Sequence, residues 1–181
     1  LVDDGVVTGW DDPRMPTISG MRRRGVTPAS LRNFVEMTGV ARSAGIVDVG
    51  MLDFAIRDDL DKTAGRAMCV IDPVKVTITN YPAEQIESIE TSRHPNLPEL
   101  GKRELFFSQN LFIGRADFRM EADKDFKRLV LGQEVRLRNA YIIRADDAIY
   151  NEQGELVEII ASFDPETLGK NPADGRKVKG V

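Results

Sequence analysis

At Gly65 the apolar pattern of this chain changes its period, and that change limits the fold more than any other feature. Before it, apolar residues recur at helical spacing. Leu31, Phe34 and Val35 follow Thr27-Pro28, where threonine offers an N-cap oxygen and proline a pre-set first helical position, and Gly39 ends the segment. A second helix is expected from Asp48, with Leu52, Ala55, Ile56 and Leu60 in one stripe and Arg57, Asp58 and Asp59 largely outside it. A short helix over Thr17 to Arg24 completes this part, and three short helices bury little unless they pack on something else.

After Gly65, Val74, Val76 and Ile78 alternate with Lys75, Thr77 and Thr79, the pattern of a half-buried strand. Further strands are expected at Leu105 to Phe107, Leu111 to Ile113, Glu134 to Arg144 and Leu156 to Phe163. Tyr81 to Leu100 reads as loop with a short edge strand around Gln85 to Glu90, and Ser108-Gln109-Asn110 and Asn151 to Gly154 read as turns. Asp164 to Val181, rich in Pro, Gly and Lys, reads as a connecting loop. The expected class is α+β, with a helical subdomain over residues 1–65 and an antiparallel barrel or sandwich over residues 66–181.

Composition narrows the function. With 41% hydrophobic and 30% charged residues among 181, the chain reads as soluble and globular, and no apolar run approaches the roughly 20 residues of a membrane-spanning helix. Cytosol is the expected compartment. The single cysteine, Cys69, lies in the apolar run Met68 to Ile71 and reads as a core residue. The single histidine, His94, sits beside Pro95 in a polar loop without a second imidazole or a thiolate cluster, so no metal site is expected. Nor is there a serine–histidine or cysteine–histidine constellation, or a phosphate-binding glycine loop, and no catalytic residue is assigned. The net charge is -4, but between Arg119 and Arg144 basic residues outnumber acidic ones, giving an acidic chain a basic strip.

Two arginine groups stand out. In Gly9 to Gly25, Pro13 and Pro16 stiffen the chain, Asp11 and Asp12 precede the short helix, and Arg22, Arg23 and Arg24 close it, the order a helix dipole favours. Local physics alone leaves those arginines as a solvated helix end. Arg136 and Arg138, two apart on an expected strand, would share one face. There they could grip phosphate or a splayed base, or be solvated ion-pair partners.

The run Gly9-Trp10-Asp11-Asp12-Pro13-Arg14-Met15-Pro16-Thr17-Ile18-Ser19-Gly20-Met21-Arg22-Arg23-Arg24-Gly25 resembles the segment that follows the catalytic loop in the class I glutaminyl-tRNA synthetases. Arg66-Ala67-Met68, Ile71 to Lys75, Tyr81-Pro82, Lys127 to Tyr141 and Asp174 to Val181 extend the resemblance in the same order over essentially the whole chain. The resemblance implies an anticodon-binding β-barrel, of a type shared with a ribosomal protein and here incomplete, after a connector and helical tRNA-contact subdomain. It assigns Arg66 to the middle anticodon base, Arg128 to the third, and Arg136 with Arg138 to the first. Arg22, Arg23 and Arg24 become candidates for the tRNA backbone. Asp125, where the family has a neutral amide, is a candidate anticodon contact that accepts but does not donate, and it could instead orient Arg128.

On this resemblance the full-length protein attaches glutamine to tRNA(Gln) using ATP with Mg, while this piece lies after the catalytic nucleotide-binding fold, is inactive alone and holds no cofactor. The expected partners are tRNA(Gln) and the missing catalytic domain of the same chain, with no membrane and as a monomer. The equivalent part of a glutamyl-tRNA synthetase is the alternative, and a non-enzymatic RNA-binding β-barrel protein the second.

Overall fold

The computed structural model describes residues 1–40 and 45–180. They divide into two compact units, Leu1–Gly65 and Arg66–Val181.

The first unit holds α1 (Ile18–Arg23), α2 (Pro28–Thr38) and α3 (Val49–Thr63), capped by Thr17, Thr27 and Asp48 in turn. Each cap accepts a hydrogen bond from a backbone amide of the first turn, which satisfies a donor the helix itself cannot. The Thr27 hydroxyl also donates to Asp59 Oδ2 at 2.6 Å, tying the start of α2 to α3. The segment before α1, which Pro13 and Pro16 stiffen, folds around Asp12. Its buried carboxylate accepts from Thr8 N at 3.0 Å, Thr8 Oγ1 at 3.2 Å, Arg14 N at 3.0 Å, Arg14 Nε at 2.9 Å and Arg14 Nη2 at 2.7 Å. Gly20 is required beneath it, because a Cβ there would lie 2.5 Å from the Met15 carbonyl oxygen and 2.6 Å from that of Asp12.

The Arg14 guanidinium, its backbone amide and Thr8 hold the Asp12 carboxyl far below the usual carboxylate range. A depressed folded-state value contributes stability above the unfolded value, near 4, and that contribution is lost as pH falls from there toward the folded value. Asp12→Asn is therefore expected to weaken amide protection in α1 at about pH 7 and to flatten its loss from about pH 5 downward, read by hydrogen exchange.

The second unit is built on a six-stranded sheet in the order β10-β7-β8-β9-β1-β4. Its strands are β1 (Pro73–Ile78), β4 (Asn110–Gly114), β7 (Glu134–Arg136), β8 (Ile142–Tyr150), β9 (Leu156–Asp164) and β10 (Lys179–Gly180). A separate antiparallel ribbon pairs β2 (Ile86–Ser92) with β3 (Lys102–Ser108), and β5 (Phe118–Arg119) pairs with β6 (Leu129–Val130). Val74, Val76 and Ile78 on β1 stand opposite Ile113 and Leu111 on β4 and Ile159 and Ala161 on β9, and all line the inner face. Lys75, Thr77 and Glu158 take the outer face, where Lys75 and Thr77 both bond the Glu158 carboxylate. Tyr81, Phe107, Tyr141 and Phe163 meet edge-on inside, their ring centroids 5.0–5.2 Å apart along the chain of contacts.

Three expectations change here. The sheet is a curled, open one of mixed sense, not wholly antiparallel: β1 runs parallel to β9 and β10 parallel to β7. The strand expected over Glu134 to Arg144 breaks after Arg136, because Asn139 turns the chain with φ of 60° and β8 begins only at Ile142. Finally, Asp164 to Gly180 is not a free connector. Arg176 reaches Glu134 at 2.7 Å, Asp174 at 2.6 Å and Asp164 at 2.8 Å, and its last strand joins β7. Val181 lies outside the described residues.

Candidate nucleic-acid interface

A cleft of about 470 Å³ opens in the second unit, where the coil after Gly65 passes the β3–β4 junction. Met68, Cys69, Val70, Phe106 and Phe112 line it together with Asp117, Arg128 and Arg138. Strand alternation accounts for the aromatic contribution: Phe107 is 3% exposed in the core while its neighbour Phe106 is 69% exposed. Phe112 is exposed for the same reason, between the inward Leu111 and Ile113. Cys69, expected in the core, is exposed in this cleft. The apolar run that contains it is coil, so its hydrophobicity faces the cleft and solvent rather than a sheet neighbour.

Arg138 sits on the turn that breaks the expected strand. Leu137 N donates to Tyr141 O and Ala140 N to Leu137 O, both at 3.0 Å, and Asn139 between them supplies the left-handed residue. Tyr141 anchors the far side of the turn by donating to Glu87 Oε2 at 2.8 Å. Burial, then the Glu87 carboxylate, pushes its phenol up to about 12, so it remains a donor throughout the neutral range. Arg138 itself is exposed and makes no ion pair or hydrogen bond among the described residues.

The paired face expected for Arg136 and Arg138 is not formed. Arg136 ends β7, donates to Thr167 O at 2.8 Å and to Lys170 O, and lines a separate cavity of about 700 Å³ with Asn139, Lys170 and Asn171. Arg128 does share the cleft with Arg138, and its carboxylate neighbour is Asp117, with Nε 3.5 Å from Oδ1. Asp125, considered for that orienting role, is exposed on a local turn in which its amide donates to Asp123 Oδ1 at 3.1 Å. Arg66 is exposed on the coil leading into the cleft, and its amide donates to Arg93 O at 2.8 Å. In the first unit Arg22, Arg23 and Arg24 are all exposed, and Arg23 Nη1 lies 3.2 Å from Asp11 Oδ2. His94, placed by sequence in a polar loop, is 1% exposed and accepts from Asn96 N at 3.1 Å through Nδ1.

Chemically, this cleft joins planar cationic donors to exposed aromatic and apolar surface, a combination suited to an unstacked base. The aromatic wall and Asp117 were not singled out from sequence. The adjacent Phe106-Phe107 pair on an alternating strand was the available signal, since only one of two neighbours can face the core. Among the described residues no group of three or more His, Cys, Asp or Glu is placed to hold a metal ion, and no helix is long and apolar enough to cross a membrane.

Residues 64–164 match the family described as tRNA synthetases class I (E and Q), anti-codon binding domain, and residues 1–62 match the catalytic domain of the same class. The segment expected to follow the catalytic domain as a connector thus falls within that domain's own span. The chain is 59% identical over all 181 residues to a protein named glutamine--tRNA ligase from Stutzerimonas stutzeri, and covers 32% of it. Proteins of the same name from Pseudomonas syringae pv. tomato and Vibrio cholerae are 60% and 56% identical over the whole chain, which covers 32% and 33% of them. The chain therefore spans about a third of the length of these curated relatives. With the anticodon-binding match running through more than half of its residues, around the cleft that holds Arg128 and Arg138, the chain belongs to the class I (E and Q) tRNA synthetases.

Proposed function

We propose that this chain is the part of a glutamine-tRNA ligase that holds the anticodon loop of tRNA(Gln). The observation that carries the reading is the cleft that Arg128 and Arg138 line together with the exposed rings of Phe106 and Phe112. Single-stranded bases expose both their faces and their pairing edges, and the cleft offers a surface for the first and donors for the second. Arg128 reads the third anticodon base. Arg138 reads the first, with Arg136 fixing the loop beside it. Arg66 contacts the middle base, and Asp125 is a further anticodon contact. The curled sheet forms one wall of an anticodon-binding barrel. Arg22, Arg23 and Arg24 contact tRNA phosphate from the helical unit, without regard to anticodon sequence.

The full-length protein acts in the cytoplasm as a monomer and joins glutamine to tRNA(Gln) using ATP with Mg. Glutamine is favoured over glutamate because the relatives matched along the whole chain carry the name glutamine--tRNA ligase. Aminoacylation by the full-length protein tests this. Glutamine should be transferred to tRNA(Gln) and glutamate should not be transferred to tRNA(Glu); the opposite pattern would make the chain part of a glutamyl-tRNA synthetase.

A further inference from the structure

Arg128 shares its cleft with a carboxylate, and that pairing bears on which base is taken. Asp117 closes the one-turn 3-10 segment Arg115–Asp117 directly after β4. Its Oδ1 stands 3.5 Å from Arg128 Nε, and both side chains line the cleft while remaining 39% and 47% exposed. At that separation the two attract without a direct hydrogen bond of good geometry, which leaves both carboxylate oxygens and the terminal nitrogens of Arg128 open to a ligand. Gly114 makes room for this placement, since a Cβ there would lie 3.1 Å from Asp117 Oδ2.

A carboxylate only accepts and a guanidinium only donates. On their pairing edges the four bases answer such a pair unequally. Guanine alone presents two adjacent N–H groups, N1–H and N2–H, with an acceptor, O6, beside them. Adenine, cytosine and uracil each present one donor group there, so one carboxylate oxygen would be left without a partner in a partly desolvated cleft. We propose that Asp117 is a specificity-determining residue of this cleft: it accepts N1–H and N2–H of a guanine whose O6 takes its hydrogen bonds from Arg128. The proposal rests on the anticodon reading given above. It agrees with the genetic code, because glutamine codons begin with C and the third anticodon position, assigned to Arg128, is then guanine.

The test uses the full-length protein and tRNA(Gln) transcripts carrying guanosine, inosine, adenosine or cytidine at the third anticodon position, with affinity read by filter binding. Inosine lacks only the 2-amino group. The unsubstituted protein should bind the inosine transcript about tenfold more weakly than the guanosine one, the scale of one lost hydrogen bond to a charged group. Asp117→Asn should weaken guanosine binding by about tenfold and bring guanosine and inosine to near equality. Because each comparison is made within one variant, a partly unfolded preparation does not change the ratio. An Asp117→Asn protein that keeps the full guanosine-to-inosine ratio overturns the proposal and leaves the anticodon reading standing. If the unsubstituted protein binds all four transcripts alike and Arg128→Ala changes nothing, the anticodon reading falls as well.

Discussion

Replacing Ile159 by alanine is expected to lower the stability of the second unit by about 2 to 5 kcal/mol, the range for deleting a large aliphatic side chain from a packed core. Ile159 is fully buried on β9, the strand between β8 and β1, and stands in register with Ala148 on one side and Val76 on the other. A cavity at this position is walled by backbone on both flanks, which limits how far the core can relax into it. Val157, two residues away on the same strand, is 45% exposed, and Val157→Ala should change stability by no more than about 0.5 kcal/mol. Urea unfolding of the full chain checks both. Similar losses at the two positions would mean that the buried and exposed side chains of β9 are not distinguished as described.

Replacing Arg138 by alanine in the full-length protein should cost about 1 to 3 kcal/mol of tRNA affinity and relax discrimination at one anticodon base. The turn that carries Arg138 is held independently of its side chain. Asn139 and the Tyr141–Glu87 bond hold the backbone, so removing the guanidinium should leave the turn in place and remove only the contact. Arg136→Ala should behave differently. Its guanidinium is already engaged by the carbonyls of Thr167 and Lys170, and its loss should appear in the urea midpoint as well as in binding. Binding of cognate and anticodon-swapped tRNA separates the two. An equal loss for both tRNAs at Arg138 would assign that residue to the phosphate backbone instead.

Much of the architecture was legible because local signals agreed. Thr27-Pro28 and Asp48 cap their helices as expected, and the alternation through Val74, Val76 and Ile78 faces the core as expected. The strand expected through Asn139 is not formed: alternating charge continues past the point at which the backbone turns. Asparagine was the only turn signal there, unaccompanied by glycine or proline. Parallel pairing of β1 with β9 joins residues more than eighty positions apart, and no local pattern encodes such a partner. The cleft was half legible. Arg128 and Arg138 came from sequence, whereas Phe106, Phe112 and Asp117 depend on which face of a strand or end of a turn meets the coil carrying Cys69.

That cysteine makes the central claim measurable. It is the single cysteine among these 181 residues, exposed, and on the wall of the cleft. Alkylation of Cys69 in the full-length protein, followed by mass spectrometry of its peptide, reports directly whether the cleft is occupied. Saturating tRNA(Gln) should slow the reaction at least about tenfold, since thiol reactivity follows access. A tRNA(Gln) without its anticodon stem-loop should leave the rate unchanged. An unchanged rate with the intact tRNA would contradict the assignment of this cleft to the anticodon.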